Sequence, residues 1–229
     1  MGALQRWGGI AALFAAAAFL FGFWLYFTLL APAKYGSLSV DAATHVAFLA
    51  EHRSLLTVWN LVIYVAFGVA LVVLALAVQQ RVRSTSPTLA SVATAFGLIW
   101  AGLVIASGMV ANVGIGVLAT TGAARPDAAA AAWPAYAIVV NGLGGGNEIV
   151  GGLWALLAGL SIAGLGGSWR FIGYAGVGIG ASGMLTTVPM LAELGAVFGL
   201  GLVVWFAWLG IALLRTPAAI AIHASSTIT

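Results

Sequence analysis

Leu55-Leu-Thr-Val-Trp59-Asn60-Leu-Val-Ile-Tyr64-Val-Ala-Phe-Gly-Val-Ala70-Leu-Val-Val-Leu-Ala-Leu-Ala-Val78 is the stretch that decides the fold. It carries no charge. A helix of about 20 mostly apolar residues crosses the hydrocarbon core of a bilayer, and this run is long enough to do so. Its apolar residues are continuous rather than alternating, which argues against a strand of a membrane barrel.

Similar runs lie on both sides of it. Taken together, the apolar segments predict an all-α fold: a polytopic transmembrane bundle of six helices, at about 7–30, 55–78, 89–115, 136–163, 171–188 and 194–214. The whole chain, 1–229, reads as a single transmembrane helical domain. Composition agrees: 63% of the 229 residues are hydrophobic, 6% are charged, and the mean hydropathy is +1.14. Soluble domains carry about 25% charged residues. The first run is too long and too aromatic for a signal peptide, and no convincing small-residue cleavage site follows it. It reads as a retained span.

The chain has no cysteine, which excludes disulfides, iron–sulfur clusters and thiolate metal sites. The net charge of +3 is dispersed over loops, with no basic patch of the kind nucleic acid requires. The expected surroundings are the lipid bilayer, and no nucleic acid is expected as a partner.

Alternate loops differ in charge. Arg6, Arg81, Arg83, Arg170 and Arg215 fall on one side without an acid. Lys34, Arg53 and Arg125 fall on the other with Asp41, Glu51, Asp127 and Glu193. Basic loops stay cytoplasmic. Both termini, including the tail 216–229, are therefore expected inside, in a multi-pass protein of the cell inner (plasma) membrane. Trp7, Trp169 and Trp208 are expected at the inner interface, and Trp24, Trp59 and Trp133 near the outer one, as aromatic anchors.

One acid lies within a span, in Asn141-Gly-Leu-Gly-Gly-Gly-Asn147-Glu148-Ile-Val-Gly-Gly-Leu-Trp154. An ionisable group there is costly unless paired, neutralised or hydrated. Asn141, Gly145, Glu148 and Gly152 follow offsets of four, three and four, which place them on one helical face. The glycines allow two readings. They could let a neighbouring helix approach closely, with Glu148 packed as a neutral, hydrogen-bonded acid. They could instead break the helix between Gly142 and Gly146 and open a cavity, as transporters do. Asn60, Asn112, Thr186 and Thr187 fall in the outer halves of other spans. With Asn141, Asn147 and Glu148 they form the expected ligand-binding set, in a polar chamber opening outward.

The outer loop 31–54 contains Ser39-Val-Asp41-Ala-Ala-Thr44, a helix start with Ser39 or Asp41 as cap. It is expected to carry a short interfacial helix. His45, Glu51 and His52 could hold zinc or copper if the loop folded back. A solvated charged loop accounts for the same residues, so no metal site is assigned and no cofactor is predicted. Gly180-Ala181-Ser182-Gly183 has the look of an intramembrane serine protease motif. The base such an enzyme needs is missing from every span, because the histidines lie at 45, 52 and 223. No catalytic residue is named.

Asn147-Glu148-Ile-Val-Gly-Gly-Leu-Trp154, Trp169-Arg-Phe-Ile-Gly-Tyr174 and Gly199-Leu-Gly-Leu-Val-Val-Trp205-Phe-Ala-Trp208-Leu-Gly-Ile-Ala-Leu-Leu-Arg215 carry a resemblance. So, less specifically, does Trp59-Asn60-Leu-Val-Ile-Tyr64. The chain resembles a bacterial membrane family known only as domain of unknown function 4386. The resemblance implies six helices in the inner membrane and implies no activity or catalytic residue.

Three functions stay open. One is a small carrier that binds or transports a small molecule, ion or proton, with Glu148 as its coupling carboxyl. A second is a non-catalytic accessory subunit of a larger membrane complex. For it, the glycine pairs Gly176/Gly180 and Gly195/Gly199 would dock a partner membrane subunit or a second copy. The third is an enzyme acting on a lipid or quinone. It has the least support, because no nucleophile–base pair is present.

Overall fold

The structure is a computed structural model. It describes residues 2–37, 39–145 and 147–215, and side chains at 144–147 lie outside the description. The tail 216–229, with His223, also lies outside it, as do Gly146 and the side chain of Asn147.

The described residues are helical and contain no strand. The helices are α1 (Ala3–Leu25), α2 (Ala42–Glu51), α3 (Arg53–Asn60), α4 (Phe67–Val82), α5 (Pro87–Ala124), α6 (Pro126–Gly145), α7 (Asn147–Ala163), α8 (Trp169–Leu185) and α9 (Leu194–Arg215). Two π-helical segments interrupt the regular pattern. Tyr26–Leu30 prolongs α1, and Leu61–Ala66 joins α3 to α4. Five stretches are long and apolar enough to cross a membrane: Ala3–Leu30, Arg53–Val82, Pro87–Ala124, Pro126–Ala163 and Leu194–Arg215. α8 has 17 residues, at the short end of what spans.

Six helices close a ring. α1 packs on α4, α4 on α5, α5 on α7, α7 on α8, α8 on α9, and α9 returns to α1. Aromatic rings fill its centre. Trp154 meets Trp100 at 5.8 Å and Trp205 at 5.5 Å between centroids, and Phe67 and Phe206 lie beside them. The Trp205 indole donates to the Ile172 carbonyl at 2.8 Å, so the one polar atom of that buried ring is satisfied.

Small residues set how closely these helices approach. α7 and α8 cross on Gly152, Gly159, Gly173 and Gly180, where any Cβ would collide with the facing backbone. The glycines considered as docking surfaces are filled from within the chain. Gly176 faces the Trp205 ring, Gly180 faces α7, Gly199 faces Phe23, and Gly195 faces Glu148. At the inner end the Arg81 guanidinium lies 5.0 Å from the Trp169 ring centroid. Trp169 is thus buried rather than an exposed anchor, while Trp7 and Trp208 are exposed.

The end expected to face outward differs from the sequence expectation. The third run ends as a helix at Ala124, not near residue 115, and the fourth begins at Pro126 with Pro134 inside it. Hydropathy set the expected ends. The segment beyond is rich in alanine, and a helix outlasts its apolar portion wherever propensity favours it. α5 is thus 38 residues long, about 57 Å at 1.5 Å per residue, against a hydrocarbon core of about 30 Å. Its outer end, the start of α6, and α2 form a cap. The cap has its own small core of Leu30, Val46, Leu49, Leu56, Ile115, Leu118, Ala129 and Trp133. Asp41 caps α2 by accepting from the Thr44 amide and the Thr44 hydroxyl, each at 2.8 Å. Those two bonds, the amide first, hold its carboxyl below the usual range.

Candidate functional site

A chamber of about 190 Å³ lies where the cap meets the bundle. Four of the chain's five tyrosines line it: Tyr26, Tyr35, Tyr64 and Tyr136. Trp59, Trp133, Asn60 and Asn141 complete its polar and aromatic wall, and among the described residues no charged side chain borders it.

Each tyrosine is held by a local device. Tyr26 opens one π-helical segment and Tyr64 lies in the other. Such segments widen a helix by one residue per turn and occur often at functional sites. Tyr35 sits between two residues in the left-handed region, Lys34 (φ 49°) and Gly36 (φ 81°). For lysine this conformation costs about 1–2 kcal/mol, a strain repaid by the turn it closes, in which the Tyr35 amide bonds the Leu30 carbonyl at 3.0 Å. Tyr136 lies against Gly114, and Tyr64 against Gly108, so α5 carries glycine where each ring needs room.

The Tyr35 and Tyr136 side chains share the chamber wall. The Tyr136 hydroxyl lies 3.5 Å from the Ala111 carbonyl, which accepts from it. Burial first, then the neighbouring Tyr136, push the Tyr35 hydroxyl well above its ordinary range. It therefore stays neutral.

Behind this wall Asn60 Nδ2 donates to Asn112 Oδ1 at 3.1 Å, and Asn112 Nδ2 donates to the Thr57 carbonyl at 3.4 Å. One donor in the wall is unmet: Trp59 Nε1 is buried with no hydrogen-bond partner. A lost partner of this kind costs about 1–3 kcal/mol.

Glu148 lies elsewhere. It is in the first turn of α7, where a carboxylate faces free backbone amides. Its Oε2 accepts from the Thr186 hydroxyl at 3.0 Å, and that hydroxyl also lies 2.7 Å from the Gly183 carbonyl. One hydroxyl proton thus faces two acceptors. Oε1 lies toward Gly195, where a Cβ would come within 3.3 Å. Glu148 therefore ties together the ends of α7, α8 and α9.

The residues expected to form one chamber thus fall in two places. Asn60 and Asn141 border the tyrosine chamber, with Asn112 behind them. Thr186 meets Glu148. Thr187 is exposed, and its hydroxyl donates to the Met184 carbonyl at 2.9 Å. Asn147's side chain lies outside the described residues. Of the stretch Gly142 to Gly146, where a helix break is one of two readings, Gly142 to Gly145 are helical and Gly146 lies outside the described residues.

Among the described residues no three histidines, cysteines or acids gather as a metal set. His45 is buried, stacked on Trp133 at 4.7 Å and hydrogen-bonded at Nε2 to the Ser37 carbonyl at 3.0 Å. His52 packs on Phe48 at the end of α2, and Glu51 is exposed. The outer aromatics expected as anchors divide likewise. Trp24 is exposed, Trp133 is buried and Trp59 is a chamber wall.

The sequence reading missed the tyrosines. Their signal was present, since Tyr26, Tyr64 and Tyr136 all fall toward the outer ends of apolar runs. No family model, curated protein or solved structure matches the chain.

Proposed function

We propose that this is a six-span protein of the bacterial inner membrane, with both termini cytoplasmic, that binds a small uncharged molecule in its outer aromatic chamber. The charge alternation of the loops supports the topology. α8, apolar and packed between α7 and α9, supplies the sixth span.

The observation that carries the binding reading is the chamber wall itself. Four tyrosines, two tryptophans and apolar side chains such as Leu30, Leu56 and Ile115 surround a largely apolar space, with two asparagines and no charged side chain among the described residues that line it. Ligand sites are typically apolar and aromatic with a few placed polar groups. Here those groups are Asn60, Asn141 and the tyrosine hydroxyls. A chamber that served only packing would be filled.

Ala137 lines the chamber, and Ala137→Trp fills it. Native mass spectrometry of gently purified protein should show a bound small molecule on the wild type that is absent from Ala137→Trp, with thermal stability retained. A wild type that carries nothing, and that no library compound stabilises, would overturn the reading.

A further inference from the structure

The chamber is too small to hold a whole ligand of ordinary size. Sites that enclose drug-sized molecules run to roughly 300–1,000 Å³, against about 190 Å³ here. A second hollow of about 250 Å³ adjoins it, between α1 and the α3–α4 rod. Ala18, Phe19, Gly22, Phe23 and Ile63 line it, and it shares Tyr26, Trp59 and Tyr64 with the chamber. Three side chains are thus walls of both spaces. The first space is aromatic and hydrogen-bonding. The second is apolar, on the flank of two membrane-spanning segments, so it faces lipid.

The two π-helical segments meet at this shared wall. One contributes Tyr26, and the other contributes Ile63 and Tyr64. Gly22, one turn before the first segment, keeps the hollow open, because a Cβ there would come within 3.2 Å of Ile63. Trp59, the third shared wall, bears the buried N–H that lacks an acceptor.

We infer that the site takes a membrane amphiphile with a flat, uncharged, carbonyl-bearing ring as its head, the chemistry of a lipid quinone. The head lies in the chamber and the tail lies in the groove between α1 and the segment 59–64 that leads from α3 toward α4. This rests on the binding reading of the chamber and names its ligand class. Tyrosine and tryptophan faces stack on a planar ring. Donors in the wall require acceptors on the head, and the absence of charged neighbours excludes an ionic head, which could not be desolvated there without a partner. The groove supplies the space the chamber lacks and gives entry from the bilayer instead of from water.

The test uses the full chain in nanodiscs and two probes, a decyl-substituted benzoquinone and the same quinone without the chain. Binding is read by quenching of tryptophan fluorescence. In the wild type the tailed probe should bind at least about tenfold more tightly. Ile63→Phe, which narrows the groove, should reduce that advantage to the part caused by partitioning into lipid, which is equal for both proteins. Trp59→Ala, which removes a ring face shared by both spaces, should weaken both probes by about tenfold, the worth of one aromatic contact. A diazirine at the tail end should crosslink to residues 18–23 and 59–64, a readout that needs no variant.

A tail advantage unchanged by Ile63→Phe, with crosslinks elsewhere, would overturn the lateral-entry inference and leave the chamber reading intact. Binding of a neutral glycerolipid in place of either quinone would overturn the ring-head class. Loss of all binding, with nothing carried from the membrane, would overturn the inference and the chamber reading together.

Discussion

Asn112 places one amide between two helices. Its oxygen accepts from Asn60, and its nitrogen donates to the Thr57 carbonyl, so a single side chain on α5 fixes the register of α3 behind the chamber. Hydrogen bonds between membrane helices are worth about 0.6 kcal/mol on average and up to about 1.7. Asn112→Leu should cost more than that average, because it leaves the buried Asn60 amide without its acceptor. A loss of about 1–2 kcal/mol is expected in mixed-micelle unfolding. Adding Asn60→Leu should restore part of it, and a purely additive double variant would contradict the pairing. The two asparagines were recognisable from sequence as polar groups at a common depth. Their partnership with each other, and not with Glu148, was not recognisable, because it depends on which faces α3 and α5 turn toward one another. Tyr35 was less legible still. It comes from a loop, and only the left-handed turn at Lys34 and Gly36 brings it to the other tyrosines.

At the scale of elements, the tightest crossing is that of α7 with α8. A Cβ on Gly159 would lie 2.6 Å from the Gly173 carbonyl oxygen and 2.7 Å from the Val177 nitrogen. Both obstacles are backbone, so the helices must part. Gly159→Ala should destabilise by about 1–3 kcal/mol, the cost of overpacking. Gly178→Ala, with nothing within 4 Å of its Cβ, should be neutral or stabilising by up to about 1 kcal/mol through helix propensity. Thermal unfolding of the two variants in detergent compares them directly, and equal effects would refute the crossing. Glycine spacing announced close packing from the sequence alone. It left open whether the partner was another chain or the next helix, and the five-residue loop between α7 and α8 favours the next helix by proximity. The helix ends were harder to read. Between Ala119 and Ala132 the residues are neither greasy enough to mark a span nor polar enough to mark a loop, and α5 and α6 extend into them, interrupted only at Arg125.

For the whole molecule, the absence of cysteine makes topology directly measurable with single introduced thiols. Ser84→Cys and Gly167→Cys should react only from the cytoplasmic side, and Ala128→Cys and Glu193→Cys only from the outer side. The decisive pair is 167 and 193, which flank α8: labelling from the same side would remove α8 as a span and with it the six-span topology. The bundle was legible from the sequence because apolar length alone dictates helices in lipid. The chamber was not, since its wall is drawn from residues 26 to 141 on separate elements.

The ring has a seam where α9 meets α1. There Gly9 and Gly210 allow the backbones to touch, and Gln5 Nε2 donates to the Leu213 carbonyl at 3.0 Å. α9 also delivers Phe198, Trp205 and Phe206 to the aromatic centre. During synthesis α1 must therefore wait for a helix that leaves the ribosome much later. Until then the growing protein is an open arc, with the alanine face of α1 turned to lipid and its middle unfilled. Maturation becomes a late, single closure, and a nascent chain paused before residue 194 is a substrate for membrane quality control.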